Sequence, residues 1–327
     1  MSAELTTNDL PPEAERFARS VVRLTNDHWV SRGYQNNFAS ADKRVAVLDV
    51  ATGRIAETDR PTKRNFAEVG FTSFVAADRA VDDLERGFAA IERAVLNQIR
   101  SVSARNRGPD LHAAIANLFA IHLVRSPSYK AFSKRIEAGF RDDGVAAMAN
   151  DRRLPAMFEA QFGRPAASGE LHEIALEQYD KLTSDPYTPA ESMARQHNKI
   201  AEKLSGFHVQ VIEIDPTLPG LVIGDTPIVH ADVEAGRYGF RDSLALGDAS
   251  LIVGPLTRRT AACFSAKPLA PVTIRTHKVL DALNAVFIRA ATAEVACHPD
   301  DALRLQQVAG RLDRLPPQLG LHQQRRR

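Results

Sequence analysis

Apolar residues in the central part of the chain recur three and four positions apart, which is the spacing of a helix with one buried face. The longest run starts after Asp78, a residue type that caps helices, and ends near the Arg-Gly-Pro breaker at 107–109. Similar runs follow, each separated from the next by glycine or proline. The pattern predicts helices at about 78–106, 111–124, 128–142, 152–162, 168–183 and 188–204.

The patterning changes on both sides of this helical block. Before it, the apolar run at 44–50 turns back at a Thr-Gly pair into 54–56, which predicts a hairpin. After it, the sequence predicts further strands and two closing helices. These lie at 207–214, 221–223, 251–253 and 259–264 for the strands, and at about 277–294 and 299–314 for the helices.

Strands, then helices, then strands and helices again is an order that favours an α+β fold over alternating βαβ units. We expect a mixed or antiparallel sheet, in which the early hairpin joins the later strands, with a large central helical block at about 78–205. The predicted organisation has three parts. They are an N-terminal helix and extension over 1–27, a single domain over 28–315, and a disordered polar, basic tail over 316–327.

Composition excludes several classes of protein. The chain has 327 residues, 44% of them hydrophobic, and a formal charge of +2, so binding to nucleic acid is not supported by net charge and would need a local patch. The N-terminus has no apolar signal core and no stretch approaches the ~20 apolar residues of a membrane span. We therefore expect a cytoplasmic protein without a membrane partner, and Cys263 and Cys297 to be buried thiols. The sequence does not predict an oligomeric state.

Common catalytic motifs are absent from the sequence. It contains no GxGxxG, Walker loop, GxSxG elbow, HExxH or CxxC. A dinucleotide enzyme, a P-loop ATPase, an α/β-hydrolase and a zincin are therefore not favoured.

The segment 28–38 concentrates polar and aromatic side chains. His28 could ligate a metal or carry a proton, or it could brace the sheet through a backbone carbonyl. The same segment offers four candidate ligand-binding residues: Arg32, Tyr34, Gln35 and Asn37.

Three further segments carry candidate chemistry. Asp225 follows a predicted strand, where it could be a metal ligand or a base, or else the acceptor of a turn. Glu85 and Glu92 are seven residues apart and share one helix face, where they could complete a metal site or be solvated charges. Arg125 ends a helix, where it could hold a phosphate or bond the last helix carbonyls.

Taken together, these segments resemble DUF4238, a family of uncharacterised bacterial proteins. The resemblance rests on His-Trp-Val-Ser at 28–31, the two helix glutamates, Arg-Ser-Pro at 125–127, Gly-Asp-Thr-Pro-Ile at 224–228 and Pro-Leu-Thr at 255–257. Ser31 stands where the family has a proline, and Gly33 and Gln35 stand where it has apolar residues. The resemblance implies a shared fold but no reaction.

Two hypotheses about function follow. The first is a metal-dependent hydrolase, a nuclease or phosphodiesterase, with His28, Asp225 and Arg125 as catalytic residues. A divalent metal, Mg²⁺ or Mn²⁺, would be held by His28, Asp225 and Glu85 or Glu92.

The second is a non-enzymatic module that binds a ligand or a protein, in a bacterial defence or mobile-element system. Convergence of His28, Asp225 and a glutamate would favour the enzyme. In both hypotheses we expect residues 28–38 to lie against the strand that ends at Asp225, with Trp29 and Phe38 mostly buried.

Overall fold

A computed structural model describes residues 26–69, 75–76, 79–80, 83–100, 109–183, 188–232, 235–268 and 272–314. The helices within these ranges are α1 (Arg32–Gln35), α2 (Asp83–Ile99), α3 (Pro109–Val124), α4 (Pro127–Ala149), α5 (Leu154–Phe162), α6 (Glu170–Thr183), α7 (Thr188–Ser205), α8 (His277–Ala290) and α9 (Ala302–Ala309). The strands are β1 (Asn26–His28), β2 (Arg44–Asp49), β3 (Arg54–Pro61), β4 (Ala67–Val69), β5 (Val75–Ala76), β6 (Arg79–Ala80), β7 (His208–Ile214), β8 (Ile223–Gly224), β9 (Val229–Asp232), β10 (Arg237–Tyr238), β11 (Leu251–Thr257), β12 (Thr260–Ser265), β13 (Val272–Ile274) and β14 (Glu294–Cys297). The α+β prediction is confirmed.

The strands form two principal sheets instead of the single sheet that we expected. One sheet has the order β10-β9-β11-β12-β7-β13 and is antiparallel except for the β13–β7 pair. The other has the order β3-β2-β14-β8, so the predicted hairpin is present but pairs with β14. Strand β14 was not predicted, because its short apolar run follows a helix directly and does not alternate with polar residues. This missed strand is what joins the hairpin to β8 in a separate sheet.

The helical block consists of α2 to α7, which lie close to the predicted positions. Two helices differ most from the prediction: α2 is shorter at both ends than the helix predicted over 78–106, and α4 continues through Gly144 to Ala149. Residues 79–80, inside the predicted helix, form the strand β6. A Cβ atom at Gly144 would lie 2.4 Å from the ring of Tyr179 in α6. The glycine therefore allows two helices to pack closely and does not end the first of them.

The core lies between α3 and the six-stranded sheet. All six residues of β12 are buried, and the ring of Phe264 in this strand contacts that of Phe119 in α3 at a centroid distance of 5.3 Å. A Cβ atom at Gly254 in β11 would lie 2.9 Å from Phe119, so a glycine is needed for α3 to approach the sheet. Cys263 and Cys297 are buried and free, as expected, and burial raises the pKa of both thiols.

Some sequence predictions lie outside the described residues. These are the N-terminal helix that begins near residue 11, the helix cap at Asp78 and the tail over 316–327. No helix in the described ranges is long and apolar enough to cross a membrane.

Candidate functional site

The segment 28–38 contains the short helix α1. Ser31 caps this helix by accepting a hydrogen bond from the amide of Tyr34. The segment is fixed to the end of β11. The Tyr34 hydroxyl donates to the carbonyl of Pro255, and the Asn37 amide donates to the carbonyl of Leu256 at 3.2 Å. The sequence placed this segment against the strand before Asp225; the hydrogen bonds reach β11, a different strand. Phe38 is fully buried and Trp29 is half-buried.

Most of the predicted ligand-binding side chains in this segment have partners inside the protein. Gln35 is fully buried and donates to the carbonyls of Val30 at 2.6 Å and Asn65 at 3.1 Å. Tyr34 is also fully buried, and burial, followed by the charge of Glu92, raises its pKa. Of the four candidates, Arg32 is the one that is exposed.

Arg125 is the centre of a buried polar cluster. It is fully buried, and its guanidinium donates to the backbone carbonyl of His28 and lies 3.4 Å from the Glu92 carboxylate. The guanidinium also sits over the ring of Phe88, 6.0 Å from its centroid. Arg125 therefore joins the segment 28–38 to α2, a role that neither sequence interpretation anticipated.

His122 belongs to the same cluster. Its Nε2 lies 3.3 Å from the Glu92 carboxylate, its Nδ1 lies 3.3 Å from the carbonyl of Trp29, and its ring stacks on Tyr34. Burial, followed by the positive charge of Arg125, lowers the pKa of His122 to about 3. A neutral ring has a single N–H, so it can donate to one of these two acceptors but not to both. His122 was not among the predicted site residues, and its partner Glu92 lies thirty residues away along the chain, so no local pattern links the two.

Asp225 is fully buried at the end of β8, where its carboxylate closes a loop. It accepts hydrogen bonds from the backbone amides of Thr292 at 2.7 Å, Ala293 at 2.7 Å and Glu294 at 3.2 Å. Burial raises the pKa of Asp225 even though these three amides favour the ionised form. Asp225 is therefore an acceptor of backbone amides, as in the turn interpretation, but the amides belong to the loop before β14 and not to its own turn.

The described residues do not bring the predicted metal ligands together. They contain no group of three histidine, cysteine, aspartate or glutamate side chains that could hold a metal ion. His28, Glu92 and Asp225 all lie in this part of the chain, whereas the side chain of Glu85 lies outside it.

A surface groove of about 280 Å³ lies between α1 and α2, directly above the buried cluster. Glu92 lines it and is only 7% exposed. Arg93 and Asn97 on α2 and Arg100 directly after it are exposed and line the groove beside Glu92. A Cβ atom at Gly33 on the opposite wall would lie 2.8 Å from Leu96, so the glycine sets how closely α1 approaches α2. Neither Arg93 nor Arg100 was among the site residues predicted from the sequence.

Comparison with protein-family models gives one match, to DUF4238, described as a protein of unknown function, over residues 26–301. The chain belongs to DUF4238. No curated protein and no solved structure matches it.

The DUF4238 motifs, which are far apart in sequence, form one chain of contacts. Arg125 links the first motif to Glu92, and Tyr34 links it to Pro255. The hydroxyl of Thr226, next to Asp225, lies 3.3 Å from that of Ser128, just after the Arg-Ser-Pro motif. The motif residues are therefore joined to one another inside the protein, and Glu92 is the member of this set that reaches the groove.

His28→Ala tests whether the ring of this DUF4238 residue has a structural role. The ring is half-buried and its Nε2 lies 3.3 Å from the carbonyl of Lys63, a long hydrogen bond. The carbonyl that accepts from Arg125 belongs to the backbone and remains in alanine. We expect the free energy of unfolding to fall by only about 0.5–1 kcal/mol in urea denaturation.

His230→Ala provides the contrast, because the His230 ring is fully buried and packs 4.3 Å from Phe240. We expect its loss of stability to be at least about twice as large. If His28→Ala lowers the free energy of unfolding by more than about 2 kcal/mol, the ring of His28 has a structural role and our expectation is wrong.

Proposed function

We propose that this DUF4238 protein binds an extended phosphate-bearing ligand, such as a single strand of nucleic acid, in the groove between α1 and α2. The observation that carries the proposal is a pair of exposed arginines, Arg93 and Arg100, lining the groove. Neither side chain has an ion-pair partner in the described part of the structure. Unpaired guanidinium groups beside a groove are suited to phosphate oxygens.

The balance of charge in the groove supports an anionic ligand. Glu92 is the one carboxylate among the described lining residues, and it lies 3.4 Å from the guanidinium of Arg125 behind it. Because Arg125 offsets this negative charge, the groove keeps the charge of Arg93 and Arg100. Such a local patch is compatible with the small overall charge of +2.

The spacing of the arginines supports an extended ligand. Arg93 lies on α2, and Arg100, seven residues later, directly follows the last residue of the helix. The amide of Arg100 still donates to the carbonyl of Leu96 at 3.2 Å, which keeps the two arginines on one face and about 10 Å apart along the helix axis. Asn97 lies between them and adds an amide that can donate to a phosphate or a base. A chain of phosphates following α2 can contact both arginines, whereas a single phosphate can contact one.

The double variant Arg93→Ala/Arg100→Ala should weaken binding of a single-stranded DNA hexamer at least about tenfold at low salt, because two phosphate contacts are lost. Fluorescence anisotropy over a series of salt concentrations measures this. The slope of log K against log salt should become shallower by about 1.4, since each phosphate contact on a single strand contributes about 0.7.

Arg152→Ala is the matched control, since Arg152 is exposed and lies between α4 and α5, away from the groove. It should leave both the affinity and the slope unchanged. If the wild type does not bind the hexamer, or if the double variant binds it as well as the wild type, the proposal is wrong.

A second candidate function, phosphodiester hydrolysis, is favoured by the position of Glu92. The carboxylate faces the groove and is held from behind by Arg125 and His122, an arrangement that orients a general base. In such a reaction Glu92 would take a proton from a water molecule while the oxygen of that water attacks phosphorus. The bond between phosphorus and the leaving oxygen would then break. Arg93 would bind the phosphate that reacts.

Glu92→Gln separates the two functions. If the protein is a hydrolase, this variant should bind the hexamer and fail to cleave it, with wild-type cleavage assayed with Mg²⁺, Mn²⁺ and a chelator. Calorimetric titration of Mn²⁺ and Mg²⁺ into the wild type and Asp225→Ala tests the metal requirement directly. If the wild type binds the strand but does not cleave it with Mg²⁺, with Mn²⁺ or with the chelator, the protein is a binding module.

A further inference from the structure

We propose that α4 packs against α4 of a second copy of this chain, with Phe140 of each copy seated in a groove of the other. The first observation is exposure. Phe140 is 67% exposed and Ile136 is 45% exposed, although both are large apolar side chains. They are four positions apart on α4, so they lie on the same ridge of the helix.

The same ridge borders an apolar groove of about 330 Å³ between α4 and α7. Tyr129, Phe132 and Ile136 line its α4 side, and Ile200 and Phe240 line the opposite side. The rings of Phe132 and Phe240 stack at a centroid distance of 5.1 Å, which makes the groove a formed apolar surface. Polar side chains border it, the arrangement found at protein interfaces: Ser133, Glu137 and Gln196.

The occupant follows from the positions of the protruding ring and the groove. Phe140 lies four residues after Ile136 and Phe132 lies four residues before it, about 6 Å to either side along the helix. A two-fold axis at Ile136 aligns two copies of α4 antiparallel and brings each Phe140 opposite Phe132 of the other copy. One surface thus supplies both the protruding group and its receptor, as an isologous dimer requires.

The charges beside this ridge also favour a second copy over a strongly charged partner. Arg141 forms a two-point ion pair with Asp180 of the same chain, at 2.9 and 2.7 Å. Arg135 donates to the carbonyl of Phe240 at 2.9 Å. Both guanidinium groups already have partners within the chain, so neither calls for an acidic partner, and the exposed Ile136 and Phe140 suit another apolar surface.

Light scattering coupled to size-exclusion chromatography tests the proposal on the full chain. The wild type should elute with twice the chain mass of 35.9 kDa at micromolar concentration. Phe140→Asp should elute as a monomer, or with its dissociation constant raised at least tenfold. The matched control is Leu303→Asp, at a 71% exposed apolar residue on α9, which should stay dimeric.

A cysteine at the two-fold axis tests the geometry independently. Ile136→Cys should form a covalent dimer under mild oxidation, because position 136 of one copy faces position 136 of the other. The two native cysteines are buried and should not compete. Leu303→Cys should remain uncrosslinked under the same conditions.

Three results would overturn the proposal. The first is a wild type that stays monomeric across the concentration series, whether because the face is bare or because another part of the chain covers it. The second is a dimer that Phe140→Asp leaves intact, which would place the interface elsewhere. The third is a dimer in which Ile136→Cys crosslinks no faster than Leu303→Cys.

Discussion

Replacing Arg125 with alanine should lower the free energy of unfolding by about 3–5 kcal/mol, the typical effect of removing one partner of a buried ion pair. The loss leaves the Glu92 carboxylate in a buried site without its counter-charge, and it leaves the carbonyl of His28 without its donor. Urea denaturation of the wild type and the variant, with the slope checked for equality, measures the difference.

Two further variants make this result specific. Arg152→Ala removes an exposed arginine and should cost less than about 0.5 kcal/mol. Adding Glu92→Gln to Arg125→Ala should recover part of the stability, because the uncompensated charge is then gone. If Arg125→Ala lowers the free energy of unfolding by less than about 1 kcal/mol, the guanidinium does not stabilise the fold, and a role in binding a ligand is favoured instead.

Asp225→Ala should cost about 3 kcal/mol, because three backbone amides lose their acceptor in a buried loop. Asp225→Asn keeps one acceptor oxygen and should cost about half as much. Thermal or urea unfolding measures both. The loss expected here is structural, in contrast to that of a metal ligand, whose removal spares stability and abolishes metal binding.

Asp215→Ala is the matched control for this prediction. Its carboxylate also accepts from a backbone amide, that of Thr217 at 2.9 Å, but the turn is open to solvent. Water can replace the carboxylate there, so the cost should stay below about 1 kcal/mol. If Asp225→Ala is as stable as Asp215→Ala and no longer binds Mn²⁺, Asp225 is a metal ligand after all.

The local parts of the fold could be predicted from the sequence and the long-range parts could not. Helices such as α3 and α7 repeat apolar residues every three to four positions and were predicted to within two residues at either end. The strand β14 has only four residues, and its identity depends on β2, about 250 residues earlier, and on β8. Information on that pairing is not present in any local window, so the two-sheet arrangement was missed.

The site shows the same division. The resemblance selected His28, Glu92 and Arg125, and these three residues do meet. What it could not predict was which atoms meet, since His28 contributes its backbone carbonyl and Arg125 is buried. The polar residues of the motifs suggested catalysis, whereas the contacts in the structure build the floor of a groove. Arg93 and Arg100 were not predicted as site residues, because their position beside the groove depends on the packing of α1 against α2.

The claim that a phosphate-bearing strand binds between α1 and α2 is tested most directly by mapping backbone amide shifts. A deuterated, ¹⁵N-labelled chain is titrated with the single-stranded hexamer and the perturbed amides are assigned. We expect the largest shifts on the two walls of the groove, at Ser31 and Gly33 on one side and Asn97 on the other. Shifts that centre on another surface, with these three amides unmoved, would contradict it.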